Sequence, residues 1–239
     1  MALLEIHGLR KSFGSVVAAD NVELAVAPGE ALGIVGPNGA GKTTLFNLIA
    51  GGLSPDAGTI HLDGRDITAA RPHERCLAGI ARSYQIPRPF ESLTVFENLL
   101  VAAVHGRRKT EADAAQLCGE ILDRLRLLTR ADVLAGSLTL LERKRLELAR
   151  ALATAPRLLL LDEIAGGLTE SECAELVGTI KELRATSVTI VWIEHIVHAL
   201  LAVVDRLTVL NFGKKIAEGN PDAVMNSPDV KQIYLGIAA

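Results

Sequence analysis

One segment constrains the fold of this chain more than any other: GPNGAGKTT, from Gly36 to Thr44. It fits the template G-x-x-x-x-G-K-S/T, in which closely spaced glycines let consecutive backbone N–H groups turn inward around phosphate oxygens. The apolar run ALGIV precedes the segment and KTTLFNLIA follows it, which predicts a strand, a phosphate loop and a helix in that order. The positive end of such a helix also attracts phosphate. The pattern therefore indicates binding of a nucleoside triphosphate.

The residue types in this loop suggest separate roles. Gly36, Gly39 and Gly41 allow the tight backbone turns. Lys42 is predicted to reach the β- and γ-phosphates, and the Thr43 hydroxyl is predicted to bind Mg²⁺. The complete set predicted to bind the nucleotide in this loop is Gly36, Pro37, Asn38, Gly39, Ala40, Gly41, Lys42, Thr43 and Thr44.

A second candidate lies further along the chain, in the run RLLLLDE at residues 157–163. A continuous apolar run of this length is typical of a strand that is buried on both faces. Asp162, at its end, is predicted to hold Mg²⁺ through water, and Glu163 to polarise the attacking water as general base. Such a strand is common by itself, but downstream of a phosphate loop it indicates hydrolysis.

The third candidate is His195, which ends the apolar run SVTIVWIEH. A lone histidine after a strand is more often structural than catalytic. Here it follows the third buried strand of the predicted sheet, at the edge where sheets of this kind bind ligands. This position favours a functional role.

The remaining pattern predicts an α/β fold. Residues 3–7, 22–27, 31–35 and 59–62 are predicted as strands and 42–50 as a helix; 94–105, 111–128 and 138–154 have the apolar spacing of amphipathic helices. Beyond them we expect strands at 157–163 and 187–195, a helix at 169–186 whose Thr169 and Glu172 form a capping box, and a hairpin at 205–219 that turns at Phe212–Gly213. The basic residues 107–109 are predicted to form a solvated loop, with lipid headgroups as a possible contact.

Composition excludes several classes of protein. The 239 residues carry 28 acidic and 25 basic side chains, so the net charge of −3 gives no electrostatic case for non-specific nucleic-acid binding. Hydrophobic residues make up 49% of the chain, which rules out disorder. The three scattered cysteines predict neither a disulfide framework nor a zinc site. The absence of a signal peptide and of apolar runs near the roughly 18–20 residues of a membrane helix predicts a cytosolic chain.

Taken together, these segments resemble the ATP-binding subunit of an ABC transporter, over essentially the whole chain. Gln85 in ARSYQ matches the glutamine that follows the phosphate loop in that family, and Glu163 matches the catalytic glutamate. His195 in IEH matches the histidine that senses the γ-phosphate, and Phe13 in KSFG the aromatic residue that stacks on adenine. Packing of Phe13 in the core is the alternative. The resemblance implies ATP and Mg²⁺ as ligands, with the metal at Thr43, Gln85 and Asp162.

The resemblance also implies a subdivided fold. A P-loop NTPase core with a mixed sheet flanked by helices is expected, together with an antiparallel β subdomain and an inserted α-helical subdomain. Residues 1–92 and 155–239 would form the core with its β subdomain, and residues 93–154 the helical subdomain, within a single ATP-binding domain.

Looser strings narrow the resemblance to importers of branched-chain amino acids: ARSYQIPRPFESLTVFENL, KKIAEGNPDAV and the ending IYLG. The likeness implies a second ATP-binding subunit, in a homodimer or a heterodimer, and two transmembrane permease subunits fed by a periplasmic solute-binding protein. It implies no nucleic acid, and attachment to the inner face of the plasma membrane. The segment DEIAGGLTE resembles the part of the family that crosses the dimer interface.

One motif departs from the family. The signature, usually LSGGQ, acts on the ATP of the partner subunit and is here Leu138, Thr139, Leu140, Leu141 and Glu142. Glycine allows close backbone approach to phosphate, so the side chain of Leu141 is expected to obstruct it, whereas Leu140 is expected to be tolerated at a more outward position. The hypothesis is a weak or slow site that depends on a partner with an intact signature. A shifted helix start that accommodates both leucines is the alternative.

Other functions remain open at this point. A soluble ABC-type ATPase acting on ribosomes, DNA or protein assemblies is one, although a second nucleotide domain or a long coiled-coil insertion would be usual for it. A kinase or GTPase is another, but the chain has no Asn-Lys-x-Asp string for guanine. A partner subunit that binds ATP with little turnover is a third, and the presence of Glu163 counts against it.

Overall fold

Two sheets and a set of surrounding helices make up this protein, seen in a computed structural model that describes residues 2–107 and 110–235. The strands are β1 (Leu4–Phe13), β2 (Val16–Val26), β3 (Ala31–Val35), β4 (Ala57–Leu62), β5 (Arg65–Asp66), β6 (Ile80–Arg82), β7 (Leu158–Asp162), β8 (Thr189–Ile193), β9 (Arg206–Asn211) and β10 (Lys214–Gly219). The helices are α1 (Lys42–Ala50), α2 (Pro72–Ala78), α3 (Val95–Arg107), α4 (Glu111–Arg124), α5 (Leu140–Ala153), α6 (Glu170–Arg184), α7 (Val197–Leu201), α8 (Pro221–Asn226) and α9 (Pro228–Leu235).

The larger sheet is mixed and has the strand order β10-β9-β3-β8-β7-β6. Its strands β9, β3, β8, β7 and β6 are parallel, and β10 pairs antiparallel with β9. Since parallel strands end at one edge, the loops after β3, β6, β7 and β8 converge there. The phosphate loop, Gln85, Glu163 and His195 all lie in those loops.

The central strands of this sheet are buried on both faces, as the apolar runs predict. In β7, Leu158 and Leu160 belong to a core that includes α1, and Leu159 and Leu161 belong to a second core on the opposite face. This alternation follows from the two-residue side-chain period of a strand. The predicted α/β fold, with its mixed and antiparallel sheets, is confirmed.

The smaller sheet is antiparallel, with the order β2-β1-β4-β5, and it covers the other side of α1. Its first two strands are longer than predicted, and they pair from Leu4 with Val26 as far as Phe13 with Val16. Apolar patterning identified only the buried half of this hairpin, because the end near the turn is mostly exposed, with polar residues on β1 and the exposed Val16 and Val17 on β2.

Helix α2 was not predicted, and it holds the end of α1 in place. The buried side chain of Arg75 on α2 donates to the carbonyl oxygens of Leu48 and Ile49, the latter at 2.8 Å. A cation at the C-terminal end of a helix satisfies free carbonyls and complements the helix dipole. The phosphate loop is thereby backed by an anchored helix.

Helices α3, α4 and α5 pack against one another and share one apolar core with a face of the mixed sheet. Helix α4 ends at Arg124, earlier than the predicted residue 128, because Arg126 has a φ of 58° that a right-handed helix does not allow. The predicted capping box of Thr169 and Glu172 and the hairpin turn at Phe212–Gly213 are confirmed.

The remaining predictions concern the basic cluster, the ending IYLG, the cysteines and membrane-spanning helices. Of the basic residues 107–109, which were predicted to form a loop, Arg107 is the last residue of α3, and residues 108 and 109 lie outside the described residues, as does the last residue of IYLG. Cys76, Cys118 and Cys173 are free thiols, as expected. Across the described ranges 2–107 and 110–235, no helix is both long and apolar enough to cross a membrane.

Candidate functional site

The phosphate loop connects β3 to α1 and depends on glycine at two crowded positions. A β-carbon on Gly36 would lie 2.2 Å from the Leu210 carbonyl oxygen, and one on Gly41 would lie 2.1 Å from that of Ala18. The φ angle of Gly41 is 98°, which an L-residue rarely adopts. The sequence requirement for glycine thus comes from neighbouring strands as well as from the loop itself.

Lys42 turns back into this loop. Its Nζ donates hydrogen bonds to the carbonyl oxygens of Gly36 at 2.7 Å and Pro37 at 3.0 Å. Burial lowers the pKa of Lys42, while the nearby carboxylates of Glu163 and Asp162 act in the opposite direction. The amine therefore lies inside the loop, where a phosphate group would meet it.

Glu163 lies one residue beyond the end of β7, in a left-handed backbone conformation with a φ of 45°. Both of its carboxylate oxygens have partners: Gln85 Nε2 lies 2.6 Å from Oε2, and His195 Nε2 lies 2.6 Å from Oε1. Strained conformations of this kind concentrate at functional sites. Three side chains that the sequence singled out from separate segments are thus in direct contact.

A cavity of about 340 Å³ joins these groups to the phosphate loop. Phe13 borders it with a half-exposed ring, so this phenylalanine is not a core residue. The cavity is lined by Phe13, Val16, Ala18, Asn38, Gly39, Ala40, Gly41, Lys42, Thr43, Thr44, Glu163 and His195. Gln85 does not line the cavity itself, but it donates a hydrogen bond to Glu163, which does.

Asp162, the predicted metal ligand, is ion-paired with an arginine that the sequence reasoning missed. Arg82 Nη2 lies 2.6 Å from Asp162 Oδ2, and both side chains are buried. Arg82 ends β6, the strand beside β7, and β6 was not predicted. The only signal in the sequence was a charged residue three positions before Gln85. Its partner, Asp162, can be identified only from the pairing of β6 with β7.

The residues proposed for Mg²⁺ fit that ion by chemistry. Thr43, Gln85 and Asp162 offer hydroxyl, amide and carboxylate oxygens, the donors that Mg²⁺ prefers. The part of the chain that the structure describes has no group of three or more His, Cys, Asp or Glu side chains placed to hold a metal. A site with one carboxylate suits Mg²⁺, which keeps several waters and binds substrate phosphates.

Lys144 on α5 is a further buried group that the sequence did not indicate. Its Nζ donates to the carbonyl oxygens of Gln85 at 2.9 Å and Glu163 at 3.4 Å. Burial lowers the pKa of Lys144, while the charges of Glu194 and Glu163 act in the opposite direction. This lysine links the helix of the altered signature to the loops of both residues.

Glu194 is buried beside His195 and accepts three backbone hydrogen bonds. The donors are Ala165 at 3.0 Å, His195 at 3.0 Å and Ile196 at 3.4 Å. Burial raises the pKa of Glu194. The carboxylate connects the segment after Glu163 to the loop that carries His195.

The altered signature forms the start of α5, and one expectation about it is wrong. Thr139 caps the helix in a capping box with Glu142, whose side chain also pairs with Arg130 at 2.8 Å. The side chain of Leu141 is only 8% exposed and packs into its own core, so it does not project toward a partner. Leu140 is the exposed leucine, at 42%. Leu140, the first residue of the helix, follows the cap at the surface, whereas Leu141, the second, points inward.

Family models match two parts of the chain. A model described as ABC transporter matches residues 19–166, more than half of the 239 residues. A second, described as Branched-chain amino acid ATP-binding cassette transporter, matches residues 214–239. The first match includes the phosphate loop, Gln85 and Glu163.

Similar proteins match along almost the full length. BraF of Pseudomonas aeruginosa and LivG of Escherichia coli, both described as high-affinity branched-chain amino acid transport ATP-binding proteins, are 36% and 38% identical; each alignment covers 99% of this chain and 98% of the relative. A solved structure described as the ADP conformation of MJ1267, an ATP-binding cassette of an ABC transporter, has a TM-score of 0.90 at 33% identity and covers 99% of this chain and 100% of that one. The chain therefore belongs to the ABC transporter family.

Proposed function

We propose that this chain is the ATP-binding subunit of an ABC importer, which hydrolyses ATP at a head-to-tail dimer interface to drive solute uptake through separate membrane subunits. The observation that carries the proposal is the cavity that brings Phe13, the phosphate loop, Glu163 and His195 together. Each of these comes from a different segment of the chain, and together they supply groups for adenine, phosphate and water.

Binding of ATP would use this cavity from end to end. The half-exposed ring of Phe13 offers a stacking surface for adenine, and Lys42 and the loop N–H groups offer positive charge to the phosphates. Thr43, Gln85 and Asp162 are the residues that would hold Mg²⁺. When bound, Mg²⁺ neutralises negative charge on the phosphate oxygens.

Hydrolysis would use Glu163 as general base. Its carboxylate is held between Gln85 and His195, each 2.6 Å from one oxygen, so its orientation toward the cavity is fixed. A carboxylate held in this way can accept a proton from water as the water attacks the γ-phosphate. Lys42 would offset the developing charge, and His195 would donate to the γ-phosphate once the nucleotide is present.

The second subunit would contribute its signature helix to the same nucleotide. Apart from the Glu142 N–H, which the Thr139 side chain caps, the first N–H groups of α5 lack partners within the helix and can bind an anion at its positive end. The side chain of Leu140 stands exposed at this end, where it would lie against the partner's phosphate. An exposed leucine in that position supports slow hydrolysis in a homodimer, and a heterodimer with an intact signature would relieve it.

Transport would require docking on membrane subunits near Gln85. Large apolar side chains are exposed around it: Tyr84 at 52%, Ile86 at 68% and Phe90 at 45%. Exposed apolar side chains of this kind mark interaction surfaces. We place the chain on the inner face of the plasma membrane, below two permease subunits that receive solute from a periplasmic binding protein.

Branched-chain or similar amino acids are the proposed solutes. The match of residues 214–239 to the branched-chain family supports them, as do the names of BraF and LivG. The alternative is an ABC-type ATPase that is not coupled to transport, or a partner subunit that binds ATP with weak turnover.

The first experiment is steady-state ATP hydrolysis by the purified chain beside a Glu163→Gln variant. Wild type should hydrolyse ATP, and the variant should lose about 10²-fold or more of the rate while still binding ATP. A variant that retains the rate would remove Glu163 from its proposed role. ATP-driven leucine uptake into vesicles that contain the chain and its membrane subunits tests import, and hydrolysis without uptake would favour the uncoupled alternative.

A further inference from the structure

Arg82 lies between the two elements that carry the proposed metal ligands. Its Nη2 donates to Asp162 Oδ2 on β7, and its Nη1 donates to Asn47 Oδ1 on α1, both at 2.6 Å. Asn47 follows Thr43 by one helical turn, so the two residues share a face of α1. One guanidinium group therefore joins the helix of Thr43 to the strand end that carries Asp162.

The surroundings of Arg82 keep it in one place. Its guanidinium carbon lies 5.7 Å from the centre of the Phe46 ring and 5.1 Å from that of Tyr84. The side chains of Arg82 and Asp162 are only 9% and 8% exposed. A planar guanidinium between rings loses little further freedom when it donates hydrogen bonds. The bond to Asp162 reaches a single carboxylate oxygen, Oδ2, and so does not engage Oδ1.

We propose that Arg82 is a positioning residue for the Mg²⁺–nucleotide site. It fixes the rotamer of Asp162 and the separation between Asp162 and the helix of Thr43, so that the carboxylate meets the cation with little rearrangement. The proposal rests on the proposed function, because it assumes that Mg²⁺ and nucleotide bind at the phosphate loop. Partners that orient a metal-binding carboxylate are typically worth about 10–100-fold in metal affinity.

The test is a Mg²⁺ titration of nucleotide binding, followed with a fluorescent ATP analogue in a Glu163→Gln background, where hydrolysis does not interfere. Arg82→Met should raise the Mg²⁺ concentration at half-saturation by about tenfold or more, with nucleotide affinity in EDTA little changed. Arg82→Lys should lie between wild type and Arg82→Met, because an ammonium group keeps the charge but not the two-pronged geometry. Asn47→Ala should shift the titration in the same direction by less.

Two controls separate positioning from general stability. Arg145→Met removes a similar arginine, 8% exposed and 2.8 Å from Glu175, which joins α5 to α6 away from Asp162. This variant should leave the Mg²⁺ midpoint unchanged even if it lowers the melting temperature. In an Asp162→Asn background, Arg82→Met should cause no further shift, since its effect passes through that carboxylate.

The outcomes distinguish this proposal from the proposed function. Nucleotide binding to the parent chain that does not respond to Mg²⁺ would contradict the proposed function itself. The positioning role would be overturned if the parent responds to Mg²⁺ but Arg82→Met and Arg82→Lys have the same Mg²⁺ midpoint as the parent, or a lower one. A loss of affinity that is equal in Mg²⁺ and in EDTA would overturn it as well.

Discussion

Gly41, at the start of α1, shows how a single residue limits this site. Its φ is 98°, and a β-carbon there would lie 2.1 Å from the Ala18 carbonyl oxygen on β2. A side chain at Gly41 is therefore excluded both by the backbone conformation and by the lack of space. Lys42 depends on this turn, because it folds back onto the carbonyl oxygens of Gly36 and Pro37.

We expect Gly41→Ala to lower the free energy of unfolding by about 1–3 kcal/mol or more and to abolish tight ATP binding. The matched control is Gly178→Ala, in α6, where nothing beyond the adjacent residues and the backbone of its own helix lies within 4 Å of the added carbon. Because alanine favours a helix, this control should raise the stability by roughly 0.5–1 kcal/mol. Urea unfolding and ATP titration of both variants check the prediction, which fails if Gly41→Ala binds ATP as wild type does.

The burial of Glu194 predicts that the stability of the protein depends on pH in a specific way. Burial raises its pKa above 4.5, and the charge of Glu163 adds to the shift. A carboxyl group with a raised pKa binds more protons in the folded chain, so its contribution to stability falls as pH rises from 4.5 through the folded pKa. Glu194→Gln does not titrate and keeps one oxygen, which can accept the hydrogen bonds from His195 and Ile196 but not the one from Ala165.

The stability of Glu194→Gln relative to wild type should therefore increase between about pH 5 and pH 7. The backbone hydrogen bonds from Ala165, His195 and Ile196 limit the rise in the pKa of Glu194, because they favour the ionised carboxylate. Denaturant unfolding at both pH values measures the difference. A stability difference that does not change with pH would contradict the raised pKa.

At the scale of elements, the start of α5 separates the two unusual leucines. The capping box of Thr139 and Glu142 fixes the first turn of the helix. Leu140 then faces the surface and Leu141 faces the core. The helix start therefore buries Leu141 and exposes Leu140, so we infer that Leu140 is the leucine that would crowd a partner's phosphate.

We expect Leu140→Gly to increase ATP-dependent dimerisation and hydrolysis at a cost of at most about 1 kcal/mol in stability. Leu141→Gly should instead lower the free energy of unfolding by about 2–4 kcal/mol, because it empties a packed site. Size-exclusion chromatography with ATP, in a Glu163→Gln background, measures the dimer, and thermal unfolding measures stability. Equal destabilisation by both variants would contradict this assignment of faces.

At the scale of the whole molecule, the loop after β6 has two distinct sides. Gln85 contacts Glu163 by its side chain, while its carbonyl oxygen accepts from Lys144 on α5. Ile86, the next residue, is 68% exposed. A movement of this loop by a bound partner would thus be transmitted directly to Glu163 and to the signature helix.

Ile86→Asp should leave ATP hydrolysis by the isolated chain within about twofold, since the side chain contacts solvent, and should abolish transport in the assembled complex. The control is Leu128→Asp, a similarly exposed leucine in the turn Leu128–Arg130 after α4. This control should transport normally. Leucine uptake into vesicles decides the matter, and normal uptake with Ile86→Asp would exclude this surface from docking.

Much of this protein follows from local sequence alone. The phosphate loop, the buried strands β3, β7 and β8, the cap at Thr169 and the hairpin at Phe212–Gly213 need only a few neighbouring residues to specify them. Backbone turns, apolar periodicity and helix caps are local properties, so a single sequence reveals them. Glu163 and His195 could be identified because they follow the ends of such strands, whereas Gln85 was identified only through the resemblance to the family.

The long-range contacts could be identified only from the tertiary structure. Nothing near Arg82 in sequence indicates its pairing with Asp162, and nothing near Lys144 indicates that it bonds to the carbonyl oxygens of Gln85 and Glu163. Buried charges of this kind are stable only beside a partner, which strand pairing and helix packing bring from up to 80 residues away. The inward position of Leu141 has the same origin, since burial depends on how a helix packs rather than on its own sequence.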